Sequence, residues 1–279
     1  MTPDTAGNPE FFDVFFDLAE SGFADVRRGF GGWVPEVYDL MEGDFEDDIP
    51  HILSLAAQAG GPILDLGSGT GRLTIPLLRA GHEVIALDSD PRMQEMLSLK
   101  ASALGGGAEK RLTQIQADLR SFRIPAPARL AVCSTNTFLY LGSLGAQREA
   151  LAAVRENLAE GGRLWLDVFV PKPNPSATEP YLTSLADPET GRLLLYGAQS
   201  RDDHFTGQSH VNAFTIVFHQ GRQPDIFVQE WTYSWLHPNE LRLLLESEGF
   251  ELLELLGDYE GDEADDTSIQ MIAIARKTR

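Results

Sequence analysis

The stretch Ile63-Leu64-Asp65-Leu66-Gly67-Ser68-Gly69-Thr70-Gly71-Arg72 concentrates residues whose types and spacing can do chemistry. Ile63 to Leu66 reads as a short buried strand, and three glycines follow at every second position. That spacing lets the backbone turn sharply and approach a ligand without side-chain interference. A helix is expected from about Arg72 to Arg79, with its free N–H groups facing whatever carboxylate or phosphate lies there. Asp65, two residues before the first glycine, can project its carboxylate into the same pocket. A nicotinamide-binding loop would carry its third glycine at position 72, where helix and strand pack closely. Arg72 stands there instead, which argues against a dehydrogenase.

Two further carboxylates follow at strand ends. Asp88 ends a second strand, Glu83 to Leu87, where it can accept hydrogen bonds from two vicinal ribose hydroxyls. Its plainer use is to cap the helix opened by Pro91, although Asp90 is better placed for that. Asp118, in Ala117-Asp118-Leu119, follows a third strand, Leu112 to Gln116. It can accept from the exocyclic amine of an adenine lodged between apolar side chains, or simply form a turn. A fourth strand, Leu130 to Cys133, runs into Ser134-Thr135-Asn136-Thr137-Phe138, on the carboxyl edge where open α/β sheets bind ligands. Asn136 is an amide and cannot be a general base. It can position an amine or hydroxyl by hydrogen bonds, and satisfying its own loop would serve equally well.

Asp65 through Gly71, Asp88 and Asp118, in that order and spacing, resemble the class I S-adenosylmethionine-dependent methyltransferases. The resemblance runs from about Tyr38 to the C-terminus. It implies that Gly67, Ser68, Gly69 and Gly71 hold the methionyl part of S-adenosyl-L-methionine, Asp88 the ribose and Asp118 the adenine. Met93 and Leu119 resemble the apolar walls of the adenine slot, and Asp65, Ser89 and Ser134 join the expected cofactor-binding set. Tyr38 resembles the aromatic residue that packs against the cofactor ahead of the sheet; an ordinary packed tyrosine is the other reading. Asn136 is carried over as the position near the transferred methyl. The implied fold is a doubly wound, Rossmann-like α/β sheet of seven strands in the order 3-2-1-4-5-7-6, the last strand antiparallel.

The elements that must position these residues can be read from periodicity. Asn8, Pro9 and the spacing of Phe11, Phe12, Phe15, Phe16 and Ala19 predict an N-terminal helix. A helix from His51 to Ala59 leads into the first strand, and alternation then continues to a helix over Ala146 to Leu158 and a fifth strand, Arg163 to Val170. Ala101 to Lys110 reads as a glycine-rich loop. Such alternation calls for a parallel sheet with helices on both faces. Pro171 to Pro175 reads as a stiff linker. Three β-like runs follow, Arg192 to Ala198, His210 to His219 and Asp225 to Trp235, and they predict an antiparallel insertion. A helix over Pro238 to Glu248 and strands Glu251 to Leu256 and Ser268 to Ala275 close the chain. The expected organisation is a helical cap over 1–50, a cofactor-binding core over 51–170, a β insertion over 171–237, and completion of the core sheet over 238–279. The insertion resembles that of small-molecule methyltransferases, including those that N-methylate amino sugars.

Charge bounds the partners. The 279 residues hold 22 Lys plus Arg against 42 Asp plus Glu, a formal charge of −20. Such a surface repels a phosphate backbone, so nucleic acid is not an expected partner and a small molecule is. Residues 1–50 carry 13 carboxylates against Arg27 and Arg28 alone. A solvated face explains that run; an acidic entrance favouring amines is the sharper alternative. Cys133 is the only cysteine, which excludes an intrachain disulfide and a cysteine-based zinc site. The histidines show no metal-ligand spacing, and no metal is expected. No signal-like start or membrane-length apolar run is present, so the expectation is a cytoplasmic protein away from the membrane. A homodimer through the insertion or the N-terminal helix stays open. Methyl transfer to an amine needs no base, whereas a hydroxyl acceptor would, and Glu230 and Tyr233 on the insertion are the candidates for that role.

Overall fold

The computed structural model describes residues 17, 21–22, 25–28, 35–42, 45–171, 181–186, 191–221 and 223–278. The expected N-terminal helix from Asn8 lies outside them apart from Asp17, as does the expected linker after Pro171. Strand β1 (Asp25–Arg28) comes first, then helices α1 (Pro35–Glu42) and α2 (Ile49–Ala59). The alternating part follows as β2 (Ile63–Leu66), α3 (Thr74–Arg79), β3 (Val84–Asp88), α4 (Pro91–Leu104), β4 (Leu112–Gln116), β5 (Ala128–Cys133), α5 (Leu144–Asn157) and β6 (Leu158–Phe169). The insertion holds β7 (Tyr181–Ala186), β8 (Leu193–Asp203), β9 (Gln208–Phe218) and β10 (Asp225–Ser234). Helix α6 (Pro238–Ser247) and strands β11 (Phe250–Leu256) and β12 (Gln270–Lys277) end the chain.

Seven strands form one sheet in the order β4-β3-β2-β5-β6-β12-β11. Strands β2 to β6 pair in parallel, and β12 runs antiparallel to both β6 and β11. Counted along the core, this is the order 3-2-1-4-5-7-6 that the family resemblance implies. Every residue of β2 and β3 is buried, as central parallel strands covered by helices on both faces require. Ile63, Val84, Ala86, Leu130, Val132 and Trp165 share a core with Ile52 of α2, Leu77 of α3 and Leu97 of α4. Successive strand residues alternate between faces. Two steps beyond Ile63, Ala86 and Trp165, the same face therefore presents Asp65, Asp88 and Asp167 at the carboxyl ends of three strands.

Some boundaries differ from the periodicity. Helix α4 continues to Leu104 instead of giving way to a loop at Ala101, because Ala101 is buried in the core and Gly105 is the first residue that breaks the helix. Strand β6 starts at Leu158, ahead of Gly161 and Gly162. Helix α5 stops at Asn157, whose side-chain amide donates to the Phe122 carbonyl and accepts from the Ile124 N–H.

By contact the chain divides into two compact units, the larger spanning 35–172 and 234–279. The smaller contains a five-stranded sheet, β1-β10-β9-β8-β7. Its β7–β8 and β8–β9 pairs are antiparallel, whereas β1 runs parallel to β10, from Asp25 opposite Phe227 to Arg28 opposite Glu230. Three of these strands were legible in sequence. Strand β7 was not, because it lies at the sheet edge with Tyr181 and Leu182 exposed and shows no apolar–polar alternation. Strand β1 was not, because it comes from far upstream.

Candidate active site

The glycine loop leaves β2 in a conformation that L-side chains rarely adopt: Gly67, Gly69 and Gly71 have φ of 71°, 53° and 98°. A Cβ on Gly67 would lie 2.4 Å from Thr137 Cγ2, and one on Gly71 would lie 2.5 Å from Leu97 Cδ1. These two glycines thus allow neighbouring segments to close on the loop. Gly69 is different: a Cβ there would meet the Tyr38 ring at 3.7 Å, ordinary contact distance. Its open face is the one a ligand can use. The Gly67 and Ser68 N–H groups donate to the Leu87 carbonyl at 2.8 and 2.9 Å, which ties the loop to the end of β3.

Asp88 stands at that end. Its Oδ2 accepts from the Gly69 N–H at 2.9 Å, and its Oδ1 accepts from the Asp90 N–H at 2.8 Å. Burial pushes its carboxyl above the ordinary carboxylate range, and the backbone donors partly offset this. A carboxylate has about four acceptor sites, so these two bonds leave capacity for a ligand's hydroxyls. Asp90 caps α4 by accepting from the Arg92 N–H, as expected. Ser89 is exposed beside it, and Met93 is buried one turn into the helix. Ser68 Oγ accepts from Gln94 of the same helix at 3.3 Å.

Asp65 is fully enclosed. It accepts from the Thr74 hydroxyl at 2.6 Å, and burial raises its pKa to about 6. Its carboxyl therefore braces the first turn of α3, on the far side of the glycine loop in sequence. Asp118 is exposed and forks with Arg120 at 2.6 and 2.9 Å; that guanidinium holds its carboxyl below the usual range. Leu119 is half-buried next to it.

Helix α1 is fastened to the loop by residues that sequence reading passed over. Asp39 accepts from the Thr70 hydroxyl and, at 2.7 Å, from Lys100 of α4. The ring of Tyr38 consequently lies against Gly69. A carboxylate one residue after a predicted aromatic contact was the only signal available.

Arg72 is the largest omission. Read from sequence only as a departure from the dehydrogenase pattern, it is the centre of a buried network. Its two terminal nitrogens each bond Asp48 at 2.7 Å; Nη1 also donates to the Phe45 carbonyl at 2.9 Å, and Nη2 also reaches Ser134 Oγ at 3.0 Å and Thr135 Oγ1 at 2.9 Å. The guanidinium also sits 5.1 Å from the Phe45 ring centroid. Only Arg offers five donors in a planar fork able to satisfy such a set. Ser134 is thereby occupied as an acceptor of an Arg72 bond.

Asn136 is held as tightly. Its Oδ1 accepts from the Phe169 N–H at 2.7 Å, and its own N–H donates to Asp167 Oδ1 at 3.1 Å. Asp167 Oδ2 accepts from the Tyr259 hydroxyl at 2.7 Å. Burial raises the Asp167 carboxyl to about 6 and, with that carboxylate beside it, pushes the Tyr259 phenol well above its usual value. The Tyr259 ring stacks on Trp165 at 6.4 Å and meets Phe45 edge-on at 5.6 Å. A lone carboxylate inside the apolar run Leu164-Trp165-Leu166-Asp167-Val168 repeats the signal that singled out Asp65, and reading it the same way would have found Asp167.

The structure thus brings Tyr38, the glycine loop, Asp65 and Asp88 around one strand edge, and links Ser134 and Asn136 to it through Arg72 and Asp167. Glu230 and Tyr233 belong to β10 of the smaller unit, where Tyr233 packs edge-on against Trp231 at 6.2 Å. His219 there bonds Asp225 at 2.8 Å, and His210 bonds Thr232 at 3.1 Å. Among the described residues no three His, Cys, Asp or Glu side chains gather as a metal site, and no helix is long and apolar enough to cross a membrane.

Comparison with known proteins agrees with this geometry. Residues 63–162 match the family described as methyltransferase domain. An uncharacterized methyltransferase of Geobacillus kaustophilus is 30% identical over 196 residues, covering 70% of this chain and 77% of that protein. The cypemycin N-terminal methyltransferase of a Streptomyces species is 24% identical over 254 residues, covering 87% of this chain and 98% of that protein. Among solved structures, the sugar N-methyltransferase KedS8 of a Streptoalloteichus species superposes with a TM-score of 0.70 at 16% identity, over 89% of this chain and 94% of that one. With the glycine loop, the strand-end carboxylates and the sheet order all in place, the chain belongs to the class I S-adenosylmethionine-dependent methyltransferases.

Proposed function

We propose that the protein methylates an amine nitrogen of a small molecule. The observation that carries this reading is the chemistry of the strand edge beyond the glycine loop. Ser134, Thr135 and Asn136 are neutral, and the carboxylate beside them, Asp167, is fully buried and bonded to the Asn136 N–H and the Tyr259 hydroxyl. An edge of that kind suits a nucleophile that brings its own lone pair and needs no base to generate it. The charge of −20 adds an attractive field for cationic amines. A relative named as an N-terminal methyltransferase and a neighbour in fold named as a sugar N-methyltransferase are consistent with the same choice.

The residues present fit the cofactor. The open face of Gly69, the spare acceptor capacity of Asp88 and the ring of Tyr38 against the loop form a cradle that a Cβ at Gly69 would begin to fill. In this reading the glycine loop and Tyr38 hold the methionyl part, Asp88 with Ser89 the ribose, and Met93, Asp118 and Leu119 the adenine. Asp118 would do so with its carboxylate shared with Arg120. S-adenosylmethionine supplies, when bound, a methyl group already activated by its sulfonium. What remains for the protein is orientation: holding the amine in line with the carbon–sulfur bond supplies much of the acceleration. Asn136 has its Oδ1 committed to the Phe169 N–H and Ser134 accepts from Arg72, so in this reading both act chiefly through the turn they belong to. For a hydroxyl acceptor the proton must leave, the role for which the sequence offered Glu230 and Tyr233 as candidates.

The test is a methyl-transfer assay with isotopically labelled cofactor against matched panels of small amines and of the corresponding hydroxyl compounds, read by mass spectrometry. The expected product carries the label on nitrogen. Labelling of oxygen alone, or of protein in preference to any small amine, would overturn the reading.

A further inference from the structure

Ser68 lies between the first two glycines of the loop and is buried, with 6% of its surface exposed. Its N–H donates to the Leu87 carbonyl, and its Oγ accepts from Gln94 Nε2 at 3.3 Å. A hydroxyl has one proton to give, and among the described residues nothing accepts this one. Whether Ser68 could instead donate to Gln94 is decided further out. Gln94 Nε2 also donates to the Ala86 carbonyl at 3.4 Å, and Gln94 Oε1 accepts from Gln114 Nε2 at 2.7 Å. The same Gln114 nitrogen donates to the Gln94 backbone carbonyl at 2.6 Å, while Gln114 Oε1 accepts from the Ser98 hydroxyl at 2.6 Å. Carbonyls only accept, so the Gln94 carbonyl fixes the orientation of the Gln114 amide. Gln114 and the Ala86 carbonyl then fix the Gln94 amide, with its nitrogen toward Ser68. This relay runs from β4, the edge strand of the core sheet, through α4 to the loop. Tying the loop to α4 would need one bond at Ser68 of either polarity. Two locked amides in series select the polarity, and Ser68 is left as a donor.

We propose that Gln94 and Gln114 are positioning residues that keep the Ser68 proton free for an acceptor atom of the bound cofactor. The proposal rests on the reading that the glycine loop holds S-adenosylmethionine, and it adds two residues, on α4 and β4, that act through Ser68. Reversing the relay should then cost affinity even where every side chain keeps a hydrogen-bond partner, because Ser68 would spend its proton inside the protein.

The experiment is calorimetry with S-adenosylhomocysteine on wild type, Ser68→Ala, Gln114→Glu and Gln114→Met, and on each Gln114 change combined with Ser68→Ala. In Gln114→Glu the side chain keeps its length and still accepts from Ser98, but it cannot donate. Its charge draws the Gln94 nitrogen, since charge-assisted bonds are the stronger, and the Gln94 oxygen then takes the Ser68 proton. In Gln114→Met every side-chain bond of Gln114 is lost, yet the Ala86 carbonyl still holds the Gln94 nitrogen in place. Ser68→Ala and Gln114→Glu are each expected to weaken binding about fivefold, the size of one neutral hydrogen bond, and Gln114→Met by less than about twofold. On the Ser68→Ala background neither Gln114 change should weaken it further. A purely structural part for Gln114 orders the variants the other way, because Gln114→Met cuts more bonds. Gln114→Met as weak as Gln114→Glu, a Gln114→Glu loss that persists on Ser68→Ala, or an unaffected Ser68→Ala would each overturn the relay while the cofactor reading stands. A wild type that binds no S-adenosylhomocysteine would overturn both.

Discussion

At the scale of single residues, the carboxylates divide by exposure, 9% for Asp88 against 2% for Asp65 and 0% for Asp167. Asp88 keeps acceptor capacity at a strand end, whereas Asp65 is enclosed with Thr74 and Asp167 with Tyr259 and Asn136. Replacing Asp88 by Ala removes a charged acceptor worth about 1.5–3 kcal/mol to a bound hydroxyl pair. Calorimetry should show S-adenosylhomocysteine binding weakened by roughly 10- to 150-fold, and unchanged affinity would exclude Asp88 from the ribose role. Asp65 makes a pH prediction. Its folded pKa of about 6 lies above the ordinary 3.8, so between those values the folded state holds the proton more tightly than the unfolded one. The stability this group contributes is full below about pH 4 and is lost as pH rises through 6, about 3 kcal/mol at most. Asp65→Asn cannot titrate and still offers Thr74 an acceptor oxygen. Urea midpoints of variant and wild type should therefore shift in the variant's favour between pH 5 and pH 8; a pH-independent difference would show that the carboxyl is not raised.

At the scale of elements, the site is a set of strand ends and one glycine loop gripped from three sides. Leu97 of α4 crowds Gly71, Thr137 crowds Gly67, and α1 lies on Gly69 through Tyr38 while Asp39 anchors it to Thr70 and Lys100. Gly71→Ala must place a side chain at φ 98° with Leu97 Cδ1 only 2.5 Å from the new Cβ. The strain and crowding together should cost about 2–5 kcal/mol. A thermal melt should show this as a clear drop in Tm, and a variant as stable as wild type would mean that the loop relaxes away from Leu97. Sequence periodicity located most of these elements because the buried strands β2 and β3 and the helices carry long, regular apolar patterns. It missed β7 and β1, whose pairing depends on a sheet edge and on a strand from upstream, neither of which leaves a local pattern.

At the scale of the whole molecule, the charge of −20 acts on encounter more than on chemistry. For a cationic amine acceptor, kcat/KM should fall as ionic strength rises from about 0.01 M to 0.15 M, where the Debye length shrinks from about 30 Å to about 8 Å. A neutral acceptor of the same shape should show no such slope. If both respond alike, the acidic surface plays no part in attracting substrate. The proposed absence of nucleic-acid partners follows from the same field, and a mobility-shift titration with duplex DNA and structured RNA at low salt is expected to show no complex.

The strand–helix alternation, the glycine loop after β2 and the place of Asp88 at a strand end were legible from the chain alone, and the sheet order followed from the family resemblance those residues carry. The local features depend on local grammar: an apolar strand, glycines where φ turns positive, and a carboxylate at the next strand end. The roles of Arg72, Asp48, Asp167 and Tyr259 were not legible, because their meaning lies in contacts across separations of 24 residues between Arg72 and Asp48 and 92 between Tyr259 and Asp167. No periodicity encodes such pairs. Asn136 shows the difference most clearly. Sequence could say that an amide stood at a ligand-binding edge; only folding decided that Phe169 and Asp167 would occupy it and hold its backbone in a left-handed turn. A buried polar group must find partners wherever the chain brings them, and where that is depends on the packing of the whole sheet.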